Sequence, residues 1–444
     1  MHANSNLVNR TPDQFIAWTR TGPLTVAQFA RAADHVATKL PDRRFVLNLY
    51  ANPVDYLLGF CASTLAGQCT LMPPNRLQKT LDDIRLDYPD SYLLGPGGSG
   101  GLDIRDCLAD PAVADSGDLG LPPIPDSQLT AIAFTSGSTG LPSPNLKYWN
   151  TLREGTLSNV AMMLRNLEGP VNMVSTVPPQ HMWGMENSVL LPLFSETAIA
   201  HQAPFYPQDV KEALQNIPAP RVLVSTPVHL AAIAGSGLDF EPVKRVLCAT
   251  APLSLSLAGA IESLFGGELL EVFGCTESGI IASRFRTREE EWTLADAFRL
   301  DVSSGQATIS ADHLPGEVRL QDMVEKTADQ QFRWLGRHQD LVNIAGKRGS
   351  LVDLNRRLEQ VPGVTDGVMF FPTDEHKRLA AMVVAPDLAP ADIREALKRQ
   401  VDPVFLPRPI VKVDELPRSA SGKLTRKALL DLYQKVKPGA GAPS

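Results

Sequence analysis

Residues 131–147 read AIAFTSGSTGLPSPNLK, an apolar run that opens into a loop of small hydroxyl residues. The run AIAF, with Thr130 before it, has the pattern of a strand buried on both faces. Small residues after such a strand let the backbone come close to a ligand. Its N–H groups and hydroxyls can then surround anionic oxygens. An ordinary surface turn also favours Ser and Gly, so the loop alone does not choose between the two. The ATPase pattern G-x-x-x-x-G-K-[ST] is not matched, because no Lys follows Gly140. A phosphate loop here would be of a different kind.

On the amino-terminal side, TVAQFARAADHVATKL (25–40) spaces apolar residues at three and four, the mark of an amphipathic helix. RRFVLNLY reads as a buried strand, NPVDYLLGFCASTLAG as a helix ending at Gly67, and CTLMPP as another strand. Strand, helix and strand in that order predict a parallel sheet with crossover helices. VNMVSTV (171–177), RVLVST (221–226), RVLCAT (245–250) and LLEVFG (269–274) extend the series of buried strands. From about 290 the pattern shortens and alternates, as in GEVRLQD and QQFRWLG, which predicts antiparallel hairpins in a small barrel-like region. Beyond 341, LVDLNRRLEQV and ADIREALKRQV read as helices and GVMFF and AAMVVAP as strands, a small α+β domain. PGGSGG (96–101) reads as a surface loop and KPGAGAPS at the end as disordered. The fold class is therefore α/β with a small α+β tail, divided here into a large domain over 1–338 and a small one over 339–444, whose mobility is an expectation from the resemblance given below.

A chain of 444 residues is too long for one core, which agrees with that division. Lys plus Arg number 42 and Asp plus Glu 49, a net charge of -7 that argues against broad nucleic-acid binding. The five cysteines (Cys61, Cys69, Cys107, Cys248, Cys275) are odd in number and form no C-x-x-C pair. Neither a disulfide framework nor a zinc site is expected, and a reducing cytoplasm fits. The start, MHANSNLVNR, has no apolar core of a signal peptide, and runs such as SVLLPLF fall short of the ~20 residues of a membrane span.

Further stretches accompany the loop: PPQHMWG (178–184), ATAPLS (249–254), VFGCTES (272–278), WLGRHQDLVNIAGKR (334–348) and LPRSASGKLTRKAL (416–429). In this order and spacing, together with TSGSTGLP (135–142), they resemble the motifs of the adenylate-forming superfamily. That superfamily contains acyl- and aryl-CoA synthetases, peptide-synthetase adenylation domains and luciferase. The likeness runs over nearly the whole chain.

The resemblance implies an ATP- and Mg²⁺-dependent enzyme that joins a carboxylic acid to coenzyme A or to the phosphopantetheine of a carrier protein. Driving one anion onto the phosphorus of a polyanion demands charge neutralisation and in-line positioning more than covalent help from the protein. By likeness, Thr135, Ser136, Gly137, Ser138, Thr139 and Gly140 would hold the β- and γ-phosphates, Thr276 the α-phosphate and Glu277 the Mg²⁺. Phe273, Gly274, Thr250 and Ala251 would surround the adenine. Asp322 would accept from the ribose hydroxyls, and Arg337 would suit the ribose and phosphate edge. Lys423, on the exposed loop SASGK, would swing in to the carboxylate and α-phosphate. His181 would face the acid in a pocket bordered by Trp183, Gly184, Ser225, Pro227, His229 and Cys248. Taken singly, each has a plainer reading: a core histidine, a packed aromatic, a solvated lysine or carboxylate.

Several positions depart from the family. Ser143 stands where the family has Lys, with Lys147 four residues on in guessed reach of the γ-phosphate; Gln339, followed by Asp340, stands at the domain hinge. The resemblance favours an aromatic acid of the hydroxybenzoate or hydroxycinnamate kind, as in the ligases of aryl-polyene pigment pathways. A medium- or long-chain fatty acid is the alternative substrate. A nucleotide-binding member that has lost catalysis and a conventional P-loop NTPase are the alternative classes.

Overall fold

The computed structural model describes residues 4–96, 101–108, 121–136, 142–303, 306–337, 341–344, 347–372, 378–417, 424 and 426–436. Contacts divide the chain into two units, Met1–Leu300 with Ile309–Val318, and Asp301–Thr308 with Arg319–Ser444. This boundary lies earlier in the chain than the hinge expected at Gln339–Asp340, residues outside those described.

Two large sheets make up most of the first unit. In the smaller, the order is Ser91–Leu94, Phe45–Asn48, Cys69–Met72, Leu129–Ser136, Pro142–Tyr148. The first four strands run parallel, and Pro142–Tyr148 returns antiparallel to the strand before it. The larger sheet has a parallel centre: Phe15–Thr19, Thr197–Ala200, Val171–Ser175, Arg221–Ser225, Arg245–Cys248 and Glu268–Cys275. At Cys275 the chain turns back into the antiparallel Gly279–Phe285.

Local chemistry explains the helices that cover these sheets. Val26–Ala37 begins with a capping box in which Thr25 and Gln28 satisfy each other's backbone N–H groups. Pro53–Leu65 starts on Asn52, whose side chain accepts from Val54 and Asp55, with Pro53 at the first helical position. Leu214, Leu230, Ile261 and Phe265 pack on Leu223, Val246 and Leu269 of the larger sheet. Each such burial contributes roughly 1.5–3 kcal/mol. Because helices cover both faces, these strands are continuous apolar runs, as the sequence suggested.

The second unit has a three-stranded sheet of Asp366–Phe370, Ala380–Val384 and Ile410–Lys412. Its central strand alternates with period two. Ala381 and Val383 meet Leu354, Leu358, Ile393 and Leu397 on one face, while Ala380 and Met382 meet Leu416, Leu429 and Tyr433 on the other. The unit also carries the hairpin Asp322–Ala328 with Gln331–Arg337. Among the described residues no helix is long and apolar enough to cross a membrane.

Candidate active site

Strands of the two large sheets in the first unit end in residues singled out above: Thr135–Ser136 in the smaller, Ser225, Cys248 and Cys275 in the larger. Ligands in open α/β sheets bind outside such carboxyl ends. The turn 275–279 closes tightly, with Cys275 opposite Gly279 in register. Thr276 on it is half-buried and Glu277 open to solvent.

Beneath this turn lies Lys147, only 3% exposed. Its Nζ donates to the carbonyl of Thr276 and, at 3.0 Å, to that of Glu277. The amine is thus committed to the turn's backbone, which corrects the guess that it reaches toward the γ-phosphate. Burial lowers its pKa, against the opposing pull of Glu186, Cys275 and Glu277. Glu186 is also buried, and burial pushes its carboxyl up to about 7. Its Oε1 accepts from the Ile280 N–H at 2.8 Å. Cys275 Sγ lies 3.1 Å from Ser278 Oγ.

A second cluster follows the strand Val171–Ser175. Thr176 Oγ1 is 2.8 Å from His229 Nδ1 and 3.0 Å from Ser225 Oγ. Trp183 Nε1 donates to the Ser225 carbonyl at 3.1 Å, and the Phe205 ring meets His229 edge-on at 5.6 Å. Burial lowers the His229 pKa and so favours its neutral ring. Cys248 is fully buried, and burial, with Glu271 adding to it, holds its thiol well above the usual range. Pro227 opens the helix that carries His229. A Cβ on Gly184 would stand 2.0 Å from the Pro178 carbonyl oxygen, so that position takes only glycine. His181 keeps its ring open to solvent, yet enough protein surrounds it that desolvation, with the Arg76 charge, lowers its pKa.

The adenine candidates divide. Phe273 is half-buried with its ring 5.4 Å from that of Trp292, whereas Gly274, Thr250 and Ala251 are exposed. Thr250 has φ 84°, a left-handed conformation that stores about 1–3 kcal/mol in a β-branched residue. In the second unit, Asp322 pairs with Arg337 across the hairpin, which accounts for their spacing in sequence. Trp334 Nε1 donates to Asp322 Oδ1 at 2.9 Å. Gly137, Ser138, Thr139, Gly140, Gln339, Asp340 and Lys423, with the side chains of Ser136 and Arg337, lie outside the described residues.

The sequence reading overlooked Thr176 and Glu186. Thr176 stands one residue past a strand, where it reads as a turn former, and Glu186 follows the PPQHMWG stretch without belonging to it. Among the described residues no three His, Cys, Asp or Glu side chains gather into a metal cluster. A solvent-open carboxylate such as Glu277 nonetheless suits Mg²⁺, which takes one or two carboxylates and fills its shell with phosphate oxygens and water.

The strand that leads into the hydroxyl-rich stretch and the turn of Thr276 and Glu277 both fall within a segment that matches enzymes of the adenylate-forming superfamily, which use ATP with Mg²⁺. Residues 100–302 match the AMP-binding enzyme family. The 4-coumarate–CoA ligase of Halorhodospira halophila is 29% identical over 301 residues, which cover 65% of this chain and 73% of that protein. Surfactin synthase subunit 1 of Bacillus subtilis is 28% identical over 48% of this chain, but only 8% of that much longer protein is matched. In fold, the apo structure of MatB from Rhodopseudomonas palustris superposes with TM-score 0.78 at 18% identity, covering 97% of this chain and 98% of that one.

Proposed function

We propose that the chain is an ATP-dependent acid–thiol ligase that activates an aromatic carboxylic acid. A carboxylate oxygen attacks the α-phosphorus of ATP, the bond from that phosphorus to the β-phosphate bridge breaks, and pyrophosphate leaves. A thiolate then attacks the acyl carbon, and AMP leaves with the electrons of the broken C–O bond. Thr135–Gly140 would hold the outgoing phosphates, Thr276 the α-phosphate and Glu277 the Mg²⁺, whose charge neutralises phosphate oxygens. Asp322 and Arg337 would hold the ribose, and Phe273, Gly274, Thr250 and Ala251 the adenine. Lys423 would arrive with the small domain for the first step and withdraw for the second.

The observation that carries this reading is Lys147, which hydrogen-bonds the Thr276–Glu277 turn from the strand that follows the TSGSTG loop. One side chain thereby joins the sheet that carries the loop to the sheet that carries the turn. The aromatic preference is supported by Trp183, Phe205 and His229 around the Thr176–Ser225 hydroxyls. In a bound complex these rings would flank an aromatic acid, with polar groups behind them for a hydroxyl or amino substituent. The name of the Halorhodospira relative agrees with it, and the match to a peptide synthetase keeps a carrier-bound thiol as an acceptor beside coenzyme A.

A panel of aromatic and aliphatic acids tests the proposal, each incubated with MgATP with and without coenzyme A. Acid-dependent pyrophosphate release and ATP–pyrophosphate exchange are expected, with AMP as the nucleotide product and aromatic acids favoured. Formation of ADP, or hydrolysis indifferent to every acid, overturns it. A second reading, a nucleotide binder without catalysis, draws on Ser143 just after the loop, where the family has Lys, and on the commitment of Lys147 to the turn. Tight ATP binding without exchange is its signature.

A further inference from the structure

Two buried ionisable side chains press on the turn that carries Thr276 and Glu277, from segments far apart in sequence. Lys147 comes from the strand after the hydroxyl loop and directs its protons at two successive carbonyls of the turn. Glu186 comes from the π-helical stretch Met185–Leu190, directly after the His181–Gly184 segment. It takes the Ile280 N–H just beyond the turn. Gly279, at φ 74°, lies so close that a Cβ there would be 2.7 Å from Glu186 Oε1. Packing alone would be served better by leucine or methionine, because a buried charge is unfavourable unless partners compensate it. Here the partners are backbone groups of the turn itself. In a planar trans peptide the C=O and the next N–H point opposite ways. Drawing the Thr276 carbonyl inward therefore directs the Glu277 N–H away from Lys147.

We infer that Lys147 and Glu186 are positioning residues that fix the pose of the Thr276–Glu277 turn for the adenylation step without touching substrate. This rests on the proposed reading of that turn as the holder of the α-phosphate and Mg²⁺. The pair works by holding geometry: a displacement of about 1 Å at a reacting centre lowers rate on the order of 100-fold.

Lys147→Met keeps the apolar stem and removes the donors, and Lys147→Arg restores donors. At saturating ATP, Lys147→Met is expected to lower the kcat of pyrophosphate exchange about 100-fold. It should raise the Mg²⁺ needed for half-maximal rate and leave the KM for the acid unchanged. Lys147→Arg should recover part of the rate. Hydrogen–deuterium exchange should quicken in the peptide spanning 273–281 while the remainder of the fold is unaltered. A merely structural lysine would lower the melting temperature but leave kcat per folded molecule and Mg²⁺ dependence at wild-type values, and that result overturns the inference. Should Lys147→Met not fold, Glu186→Leu, which removes the acceptor for Ile280, is judged by the same kinetic criteria. A wild type without exchange for any acid sinks the adenylation reading instead. The deuterium measurement then decides separately whether the two side chains hold the turn, and unchanged exchange at 273–281 refutes that they do.

Discussion

Asp55 shows how one carboxyl ties stability to pH. It lines a cleft of about 710 Å³ with Arg20, Tyr50, Arg105 and His201. Burial pushes it up to about 6, while the Arg105 charge pulls the other way. The unfolded value is about 3.9. Its folded pKa is therefore raised, so the stability linked to its proton is complete below about 4 and is lost as pH climbs through 6. Asp55→Asn has no such proton to lose. Between pH 4 and 8 the wild type should lose about 1 kcal/mol relative to this variant, a figure reduced because the group is partly exposed. Urea midpoints of the two proteins at pH 4 and pH 8 measure it. The residue scale is also where sequence was least informative. In NLKYW, alternation with apolar residues inward would bury Leu146 and expose Lys147. The structure does the opposite, with Leu146 46% exposed and Lys147 3%. A side chain whose partners are backbone carbonyls nearly 130 residues away in the chain leaves no local pattern to read.

Elements were far more legible. Parallel strands covered on both faces must be continuous apolar runs, so TAIAF, VNMVS, RVLVS and RVLC stand out from their surroundings. The helix after Thr25 is specified by its own capping box. Less visible was the segment that follows PPQHMWG, where a short helix passes into the π-helical Met185–Leu190. No residue type signals such a register. The close approach of Gly184 to Pro178 fixes this segment's path, and it yields a prediction at this scale. Gly184→Ala forces a Cβ onto a backbone oxygen that no side-chain rotation relieves. A loss of about 3 kcal/mol is expected, at the upper end for overpacking. Because Trp183 is tied to the Ser225 carbonyl, the KM for the acid should rise in the protein that still folds. Thermal unfolding and acid titration check the two halves.

At the scale of the whole molecule, the functional reading requires the small domain to take part in one half-reaction. If Lys423 serves the adenylation step alone, Lys423→Ala should depress ATP–pyrophosphate exchange by two or more orders of magnitude. Thiol transfer from a supplied acyl-adenylate should proceed at close to the normal rate. Equal losses in both steps would contradict the division of labour. The motif around Lys423 was picked out in sequence by resemblance alone and lies outside the described residues. The junction of the two sheets through Lys147 was not, because it depends on how separate layers dock. That seclusion has a chemical consequence. An acyl-adenylate is an acylating reagent, and an enzyme that makes one exposes its own amines to attack. Lys147 is held against the Thr276–Glu277 turn with its protons engaged by carbonyls and almost no surface open. Under the proposed function it would be shielded from self-modification, which would fall instead on exposed lysines such as Lys326 and Lys398.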